Sequence, residues 1–401
     1  MRILEINKFN FINGGADKHF LDLIKLLRSQ KNDLAVLAMD HPQNNFSPWR
    51  KYFPSYVGYG KSDNLYHKFK GIFRMFYSFE AKRKIGKLLD DFQPDIVHIH
   101  NIYHQISPSI LPEIKKRKIP IVMTVHDYKL ICPNYLLEAN GYELTRLNWK
   151  SFIRNRSFKN SYLKSLLVVL EFYFHRYLNI YDKNIDVYLV PSQLAKIKLV
   201  AGGVPENKII LLPHFAIPKN YCTVSRVNIQ RPYAFYFGQI SRDKGVDKLI
   251  NIFRALPDIN LYLAGKIEDD FVLPKNTNVC YLGFLKTEEL EKYLEHASCV
   301  VSTSRLPETF GLIALEALNF GKPFIGFSGR AFEEIVVNNH CGFICENEKE
   351  MMEKIKLICF DQGLRILFSR NALERSKDFS STVYLQKLTE IFNQLIKSKN
   401  S

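Results

Sequence analysis

Cysteine is sparse in this 401-residue sequence. Its seven thiols, at positions 132, 222, 280, 299, 341, 345 and 359, are scattered and odd in number. Cys341 and Cys345 lie close together but lack a second pair, so reduced thiols are expected rather than a disulfide framework or a zinc site. Long apolar runs are lacking too. Leu166–Leu170 is typical of those present, far short of the roughly 18 residues that span a bilayer. No signal-peptide pattern precedes the first strand, because Met1-Arg2 leads straight into Ile3–Ile6, and a cytoplasmic location is expected. No carboxylate cluster suited to Mg²⁺ stands out.

Acidic residues are what the first half has least of. Residues 1–200 hold 31 Lys and Arg against 17 Asp and Glu, whereas residues 201–401 hold 25 against 23. The net charge of +16 therefore resides almost wholly in one half, which would attract phosphates of a lipid surface or of nucleic acid. A hydrophobic content of 46% with 24% charged residues is that of a globular protein, and the length favours two domains.

The most informative stretch is S-T-S-R-L-P-E-T-F-G-L-I-A-L-E-A-L-N-F-G-K-P, from Ser302 to Pro323. An apolar strand at Cys299–Val301 leads into a polar turn at Pro307-Glu308-Thr309. A helix is predicted to begin near Phe310-Gly311 and to stop at Gly321, with Pro323 beyond it. Backbone N–H groups at Phe310, Gly311 and Leu312, at the positive end of the helix dipole, suit a phosphate. Gly311 lets an anion approach without a Cβ in the way. Glu308 and Glu316 would repel that phosphate, so they suit hydroxyls on its flanks, a sugar on one side and a ribose on the other. The same two glutamates also fit an ordinary solvated strand–turn–helix.

Three further turns carry candidate chemistry. The strand Tyr233–Phe237 runs into G-Q-I-S-R-D-K-G, Gly238 to Gly245, which aims backbone amides and Lys244 at an anion. Lys244, with Gln239 or Arg242, would balance the charge of a diphosphate. Gly14-Gly15, between the strand Met1–Ile6 and a helical pattern from Ala16 to Arg28, is Rossmann-like without being a full G-x-G-x-x-G. Two short strands, Pro94–His100 and Pro120–His126, are separated by the helical Ser107–Lys118, and each ends in histidine. Ligands of open α/β sheets bind outside the carboxyl ends of the strands, so His100, Asn101, His126 and Asp127 are expected to face a cleft.

Two segments are basic and aromatic. Leu65–Leu89 reads as one helical stretch that suits either a membrane surface or a core helix with a solvated face. Leu144–Leu170 has no acidic residue but six basic ones, Arg146, Lys150, Arg154, Arg156, Lys159 and Lys164, interleaved with Trp149, Phe152, Phe158 and Tyr162. The apolar helix that follows, Leu163–Tyr181, is expected to pack under it.

E-T-F-G-L-I-A-L-E-A-L-N-F-G-K-P resembles the Glu-x7-Glu signature of retaining glycosyltransferases of family 4. Similarity recurs along almost the whole chain, in Gly14-Gly15 with Asp17 where the family often has glutamate, in T-V-H-D-Y-K-L-I-C-P-N, and in the G-R-x-x-x-x-K-G-like turn, where Gln239 replaces the family's arginine. The resemblance implies the GT-B architecture, an α/β fold of two facing Rossmann-like domains with parallel sheets and an interdomain cleft. The domains would be 1–215 on the acceptor side, a linker at 216–231, and a nucleotide-sugar domain at 232–380, with a C-terminal helix 381–397 returning to the first domain. The implied reaction moves a sugar from a nucleoside diphosphate to a hydroxyl of a glycan, with retention and without a metal or other cofactor.

Glu308, His126 and Lys244 would be catalytic. Gly15, Gly238, Gln239, Arg242, Lys244, Phe310, Gly311, Leu312 and Glu316 would bind the donor, and His100, Asn101 and Asp127 would lie on the acceptor side. The expected partners are a nucleotide-sugar, a glycan or polyprenyl-linked acceptor, and the anionic inner face of a bacterial membrane. A GT-B epimerase or phosphorylase is the alternative. Nucleic-acid binding rests on charge alone, since no recognised module is present.

Overall fold

The computed structural model describes residues 1–57, 65–139, 142–143, 148–218, 231–269, 271–274 and 278–400. Arg146 and most of the expected linker lie outside these. The chain divides into two compact units. One comprises Met1–Ala139, Leu144–Leu212 and Leu385–Ser401, and the other Asn140–Glu143 and Pro213–Tyr384.

Each unit is built on a six-stranded sheet in which every pairing is parallel. In the first unit the strands are β1 (Arg2–Ile6), β2 (Asp33–Leu37), β3 (Ile96–Ile99), β4 (Ile121–Thr124), β5 (Val187–Val190) and β6 (Ile209–Leu211), in the order β2-β1-β3-β4-β5-β6. In the second they are β7 (Tyr233–Phe237), β8 (Asn260–Ala264), β9 (Val279–Tyr281), β10 (Cys299–Ser302), β11 (Phe324–Phe327) and β12 (Gly342–Cys345), in the order β9-β8-β7-β10-β11-β12. The central strands are short apolar runs without the alternation of a half-exposed sheet. β3, β4, β5 and β10 are buried at every residue, as parallel strands with helices on both faces must be. Strand order reverses between β1 and β3 in the first sheet and between β7 and β10 in the second. Those two reversals are where an open α/β sheet leaves a crevice at its carboxyl edge.

The helices of the first unit are α1 (Gly15–Ser29), α2 (Leu65–Phe76), α3 (Phe79–Phe92), α4 (Leu111–Lys116), α5 (Trp149–Arg154), α6 (Tyr162–Tyr177) and α7 (Gln193–Ala201). The stretch read from sequence as one helix, Leu65–Leu89, is two. Ser78 caps α3 by accepting from the Ala81 N–H at 3.2 Å, and a serine in that role separates the helices. Insert and apolar helix meet as expected on one side only. Phe152 of α5 and Met75 of α2 pack with Val168 and Val169 of α6, joined by Phe158. The other side of α6 is open: Leu163 is 66% and Tyr177 88% exposed, and Tyr162, Leu166, Leu170 and Tyr173 are exposed with them. Their spacing of three to four residues makes this one stripe.

The second unit carries α8 (Val246–Arg254), α9 (Thr287–His296), α10 (Leu312–Asn319), α11 (Phe332–Ile335), α12 (Glu348–Phe360) and α13 (Gln362–Ser376). Thr287 is the first residue of α9. The preceding Lys286 N–H is held by the Glu289 carboxylate at 3.1 Å. The last helix, α14 (Ser381–Asn400), starts in the second unit, and from Leu385 it belongs to the first. There the fully buried Phe392 ring lies 5.6 Å from the His98 ring, and the Lys399 ammonium lies 3.1 Å from the Asp186 carboxylate. No helix among the described residues is long and apolar enough to cross a membrane.

Candidate active site

In the second unit, the crevice between β7 and β10 gathers the two loops that the sequence singled out. β7 ends at Phe237 and leads through Gly238 and Lys244 into α8, while β10 ends at Ser302 and leads through Glu308 into α10. The loops are bonded to each other. The Thr303 hydroxyl donates to the Gly245 carbonyl at 2.7 Å, the Arg305 N–H to Asp243 at 3.1 Å, and the Arg305 guanidinium to Arg242 and to the Asp247 carboxylate, both at 2.8 Å. Gly245 makes this approach possible. Its φ is +70°, and a Cβ there would sit 1.9 Å from the Thr303 carbonyl oxygen. Only glycine combines the left-handed backbone with that contact.

At the centre of this joint the Lys244 ammonium lies 2.7 Å from the Glu308 carboxylate, which also accepts from the Ser304 hydroxyl at 2.9 Å. Both charged side chains are partly exposed, at 27% and 19%. Residues 64 apart in sequence, one expected at a diphosphate and the other at sugar hydroxyls, are thus one ion pair. An arriving phosphate would compete with Glu308 for Lys244. Gln239 and Arg242 are exposed beside them. The Gly238 N–H is committed to the Ala264 carbonyl at 2.9 Å, so Gly238 offers a ligand its missing side chain rather than its amide.

The helix bearing Glu316 begins at Leu312, two residues after the predicted start. The chain turns at Gly311, whose φ is +95° and whose Cβ would meet the Phe332 ring at 2.4 Å. Phe310 points into the core, with its ring 5.2 Å from His214 and 5.9 Å from Phe379. The N–H groups that open α10 precede the helix's own hydrogen-bond ladder, but that of Ala314 already donates to the Gly311 carbonyl at 2.9 Å. Glu316 is half-buried in its second turn.

In the first unit the crevice lies between β1 and β3. Gly15 opens α1, and Asp17 in its first turn is buried, with its carboxylate accepting from the Asn7 amide at 2.8 Å. Burial raises the Asp17 carboxyl above its ordinary range, opposed by the Asn7 bond. The Asn101 N–H reaches the Asn7 side chain at 3.2 Å, tying the end of β3 to the end of β1. Asp127 accepts from the Tyr103 hydroxyl and from the Lys129 N–H. Burial raises the Asp127 carboxyl and lowers the Lys8 ammonium, and the attraction between those two groups works against both shifts. A cavity of about 310 Å³ lined by Lys129, His175, Arg176 and Tyr181 touches the first-unit set only through Lys129, the partner of Asp127.

Sequence reasoning missed the group beneath His100. Glu5 stands opposite His98 in the β1–β3 register, and both are fully buried. The Glu5 carboxylate bonds the His98 Nδ1 at 3.0 Å and the His100 Nε2 at 3.2 Å. The His98 Nε2 lies 2.8 Å from the Thr124 hydroxyl, and the His100 Nδ1 2.8 Å from the His126 Nε2. One ligand atom from each of Glu5, His98 and His100 falls within a 4.8 Å cluster, the spacing of a possible ion site. The signal was present in the sequence: a lone glutamate in the fully apolar strand Ile3–Ile6, and a histidine two residues before His100 on the same strand face.

Two parallel sheets of this kind, each with its own switch point, are the GT-B fold, and the family models that the chain matches are those of glycosyltransferases. The chain belongs to Glycosyltransferase Family 4, which it matches over residues 13–217, more than half its length; residues 223–375 match Glycosyl transferases group 1. It is 24% identical over 275 residues to an uncharacterized 42.6 kDa protein in the cps region of Klebsiella pneumoniae, covering 67% of this chain and 64% of that one. It is 28% identical over 177 residues to the capsular polysaccharide biosynthesis glycosyltransferase CapM of Staphylococcus aureus, covering 40% and 46%. Both matches therefore span less than two thirds of the relative. Anabaena HepE, solved in complex with UDP and glucose, shares the fold with a TM-score of 0.68 at 16% identity, over 98% of this chain and 99% of that one.

Proposed function

We propose that this protein is a retaining glycosyltransferase that moves a sugar from a nucleoside-diphosphate-sugar to a hydroxyl of a polyprenyl-linked glycan during bacterial surface-polysaccharide synthesis. The observation that carries the reading is the Lys244–Glu308 joint at the β7–β10 crevice, where a cation for a diphosphate and an acceptor for sugar hydroxyls stand side by side. The UDP and glucose bound by HepE and the capsule role in CapM's name support the donor and the pathway type.

Lys244, with Arg242 or Gln239, balances the diphosphate, whose charge grows as the sugar C1–O bond breaks. The amides at Phe310, Gly311 and Leu312 hold the phosphates, with Gly238 and Gly15 allowing close approach. Glu308 takes the sugar hydroxyls and Glu316 the ribose. His126 attends the sugar, and His100, Asn101 and Asp127 stand on the acceptor side. The acceptor oxygen attacks C1 on the face the diphosphate leaves, and a leaving phosphate oxygen takes its proton. No metal is required, because Lys244 and the amides supply the positive charge.

The exposed stripe of α6 supports association with the inner face of the plasma membrane, where a polyprenyl-linked acceptor resides. Exposed Arg154, Arg156, Lys159 and Lys164 flank it, so apolar and aromatic side chains would enter the headgroup layer while cations hold anionic lipid.

A thermal-shift screen of nucleoside-diphosphate-sugars tests the donor assignment. A donor at about 100 times its Kd stabilises the native state by about 2.7 kcal/mol, and the same donor should then be consumed slowly by hydrolysis. A complete panel without any shift would overturn it.

A further inference from the structure

We infer that Lys8 binds a phosphate of the lipid-linked acceptor and so seats that acceptor in the first-unit crevice. The Lys8 N–H donates to the Asn101 carbonyl at 2.7 Å, and the Lys8 carbonyl accepts from the Met39 N–H at 3.1 Å. The residue is thereby fixed at the carboxyl edge of β1, between the ends of β3 and β2. It is partly buried, with its ammonium 4.5 Å from the centre of the Tyr103 ring and 5.3 Å from that of Phe9. Among the described residues this ammonium makes no hydrogen bond and no ion pair.

The charges around it are engaged elsewhere. The Lys129 ammonium, 6.0 Å from the same Tyr103 ring, is matched by the Glu171 carboxylate at 2.7 Å. Asp127 accepts from the Tyr103 hydroxyl and the Lys129 N–H, and Asp17 accepts from the Asn7 amide. Both carboxylates attract Lys8 from beyond contact distance, while burial works against its charge. A cation held in this way gains most from an anion that enters the crevice, and phosphate oxygens can take all three of its N–H donors.

The surroundings favour the acceptor over the donor as the source of that phosphate. Tyr103 stacks on Tyr135 with ring centres 6.0 Å apart, and Tyr135 meets Phe158 at 6.1 Å. The Lys159 ammonium lies 5.7 Å from the Phe158 ring. This row of rings leads from Lys8 to the basic insert, whose cations flank the exposed stripe of α6. A polyprenyl chain entering the bilayer at that stripe would carry its diphosphate along the row, with Lys159 at one end and Lys8 at the other. The inference rests on the proposed function for the identity of that phosphate.

The test is calorimetric titration of the full-length protein with farnesyl diphosphate, a short lipid diphosphate, and separately with UDP. Lys8→Met keeps an apolar stem over Tyr103 and Phe9 and removes the charge. Farnesyl diphosphate should bind wild type and lose about tenfold or more in affinity in Lys8→Met, the worth of a hydrogen bond to a charged group. UDP affinity should be unchanged, and Lys8→Arg should keep most of the binding. In wild type, farnesyl diphosphate but not UDP should also shield Lys8 from acetylation by an amine-reactive ester, read by peptide mass spectrometry. Wild type that fails to bind farnesyl diphosphate overturns the inference, as does equal affinity in Lys8→Met or a Lys8 left unshielded. A loss for UDP as large as that for farnesyl diphosphate also overturns it, and gives Lys8 to the donor. Neither measurement involves a nucleotide-sugar. A successful donor screen with no farnesyl diphosphate binding removes this inference alone, whereas a failed screen with Lys8-dependent binding removes the transfer reaction and leaves the phosphate site.

Discussion

Replacing Glu308 with alanine separates the two jobs that its carboxylate could perform. As half of an ion pair with side chains 27% and 19% exposed, it is screened by water, and its removal should cost only about 1 kcal/mol of stability. In a unit of this size that is a fall of about 2–4 °C in Tm. As the group that grips sugar hydroxyls while charge develops at C1, it should matter far more. One charge-assisted hydrogen bond is worth about 1.5–3 kcal/mol, and the freed Lys244 loses the partner that positions it. Together these should reduce kcat/KM by at least about 100-fold. Glu308→Gln, which keeps the shape and the Ser304 contact, should melt near wild type yet remain well below it in turnover. Lys244→Ala should act mainly on donor affinity. The measurements are thermal unfolding and release of nucleoside diphosphate, made on the same preparations. Wild-type turnover in Glu308→Ala would refute the site. A large drop in Tm with activity lost only in proportion would make the pair structural.

Gly245→Ala should destabilise the second unit by about 2–4 kcal/mol, because a left-handed φ of +70° is joined to a Cβ 1.9 Å from a carbonyl oxygen; a Tm within about 2 °C of wild type, read by calorimetry, would contradict it. His214 is fully buried, and burial lowers its imidazole from 6.5 to about 3. A neutral buried base gives stability that is present above pH 6.5 and lost as pH falls toward 3, so the Tm should drop through that window, and less so in His214→Gln. On the membrane side, Leu166→Glu with Leu170→Glu should abolish sedimentation with anionic vesicles, whereas wild-type binding should weaken steeply with salt. Salt-insensitive binding to neutral vesicles would count against that face.

Much of this was legible in the chain. The strand, turn and helix from Cys299 to Asn319 follow from glycine, proline and an apolar run. The two histidines at the strand ends do meet each other, with ring nitrogens 2.8 Å apart. Pairings between distant residues were not legible. Nothing in the sequence says that Lys244 meets Glu308, because loop-to-loop contacts depend on strand order, and order is a property of the whole sheet. Glu5 and His98 were passed over because residues inside a buried strand read as core. The outer face of α6 was misjudged because Leu163, Leu166 and Leu170 are as apolar as any core residue, and composition does not reveal which side of a helix has a neighbour.

Phe392 has a consequence for how the molecule is made. The ring that roofs His98 is translated almost three hundred residues after the strand it covers. A nascent first half therefore reaches the end of β6 with His98 still uncovered by this ring, and it must wait through synthesis of an entire second sheet. Fragments that stop at residue 212 should be sticky or loose, so a folded first unit needs the segment from Leu385 onward as well as the residues up to Leu212.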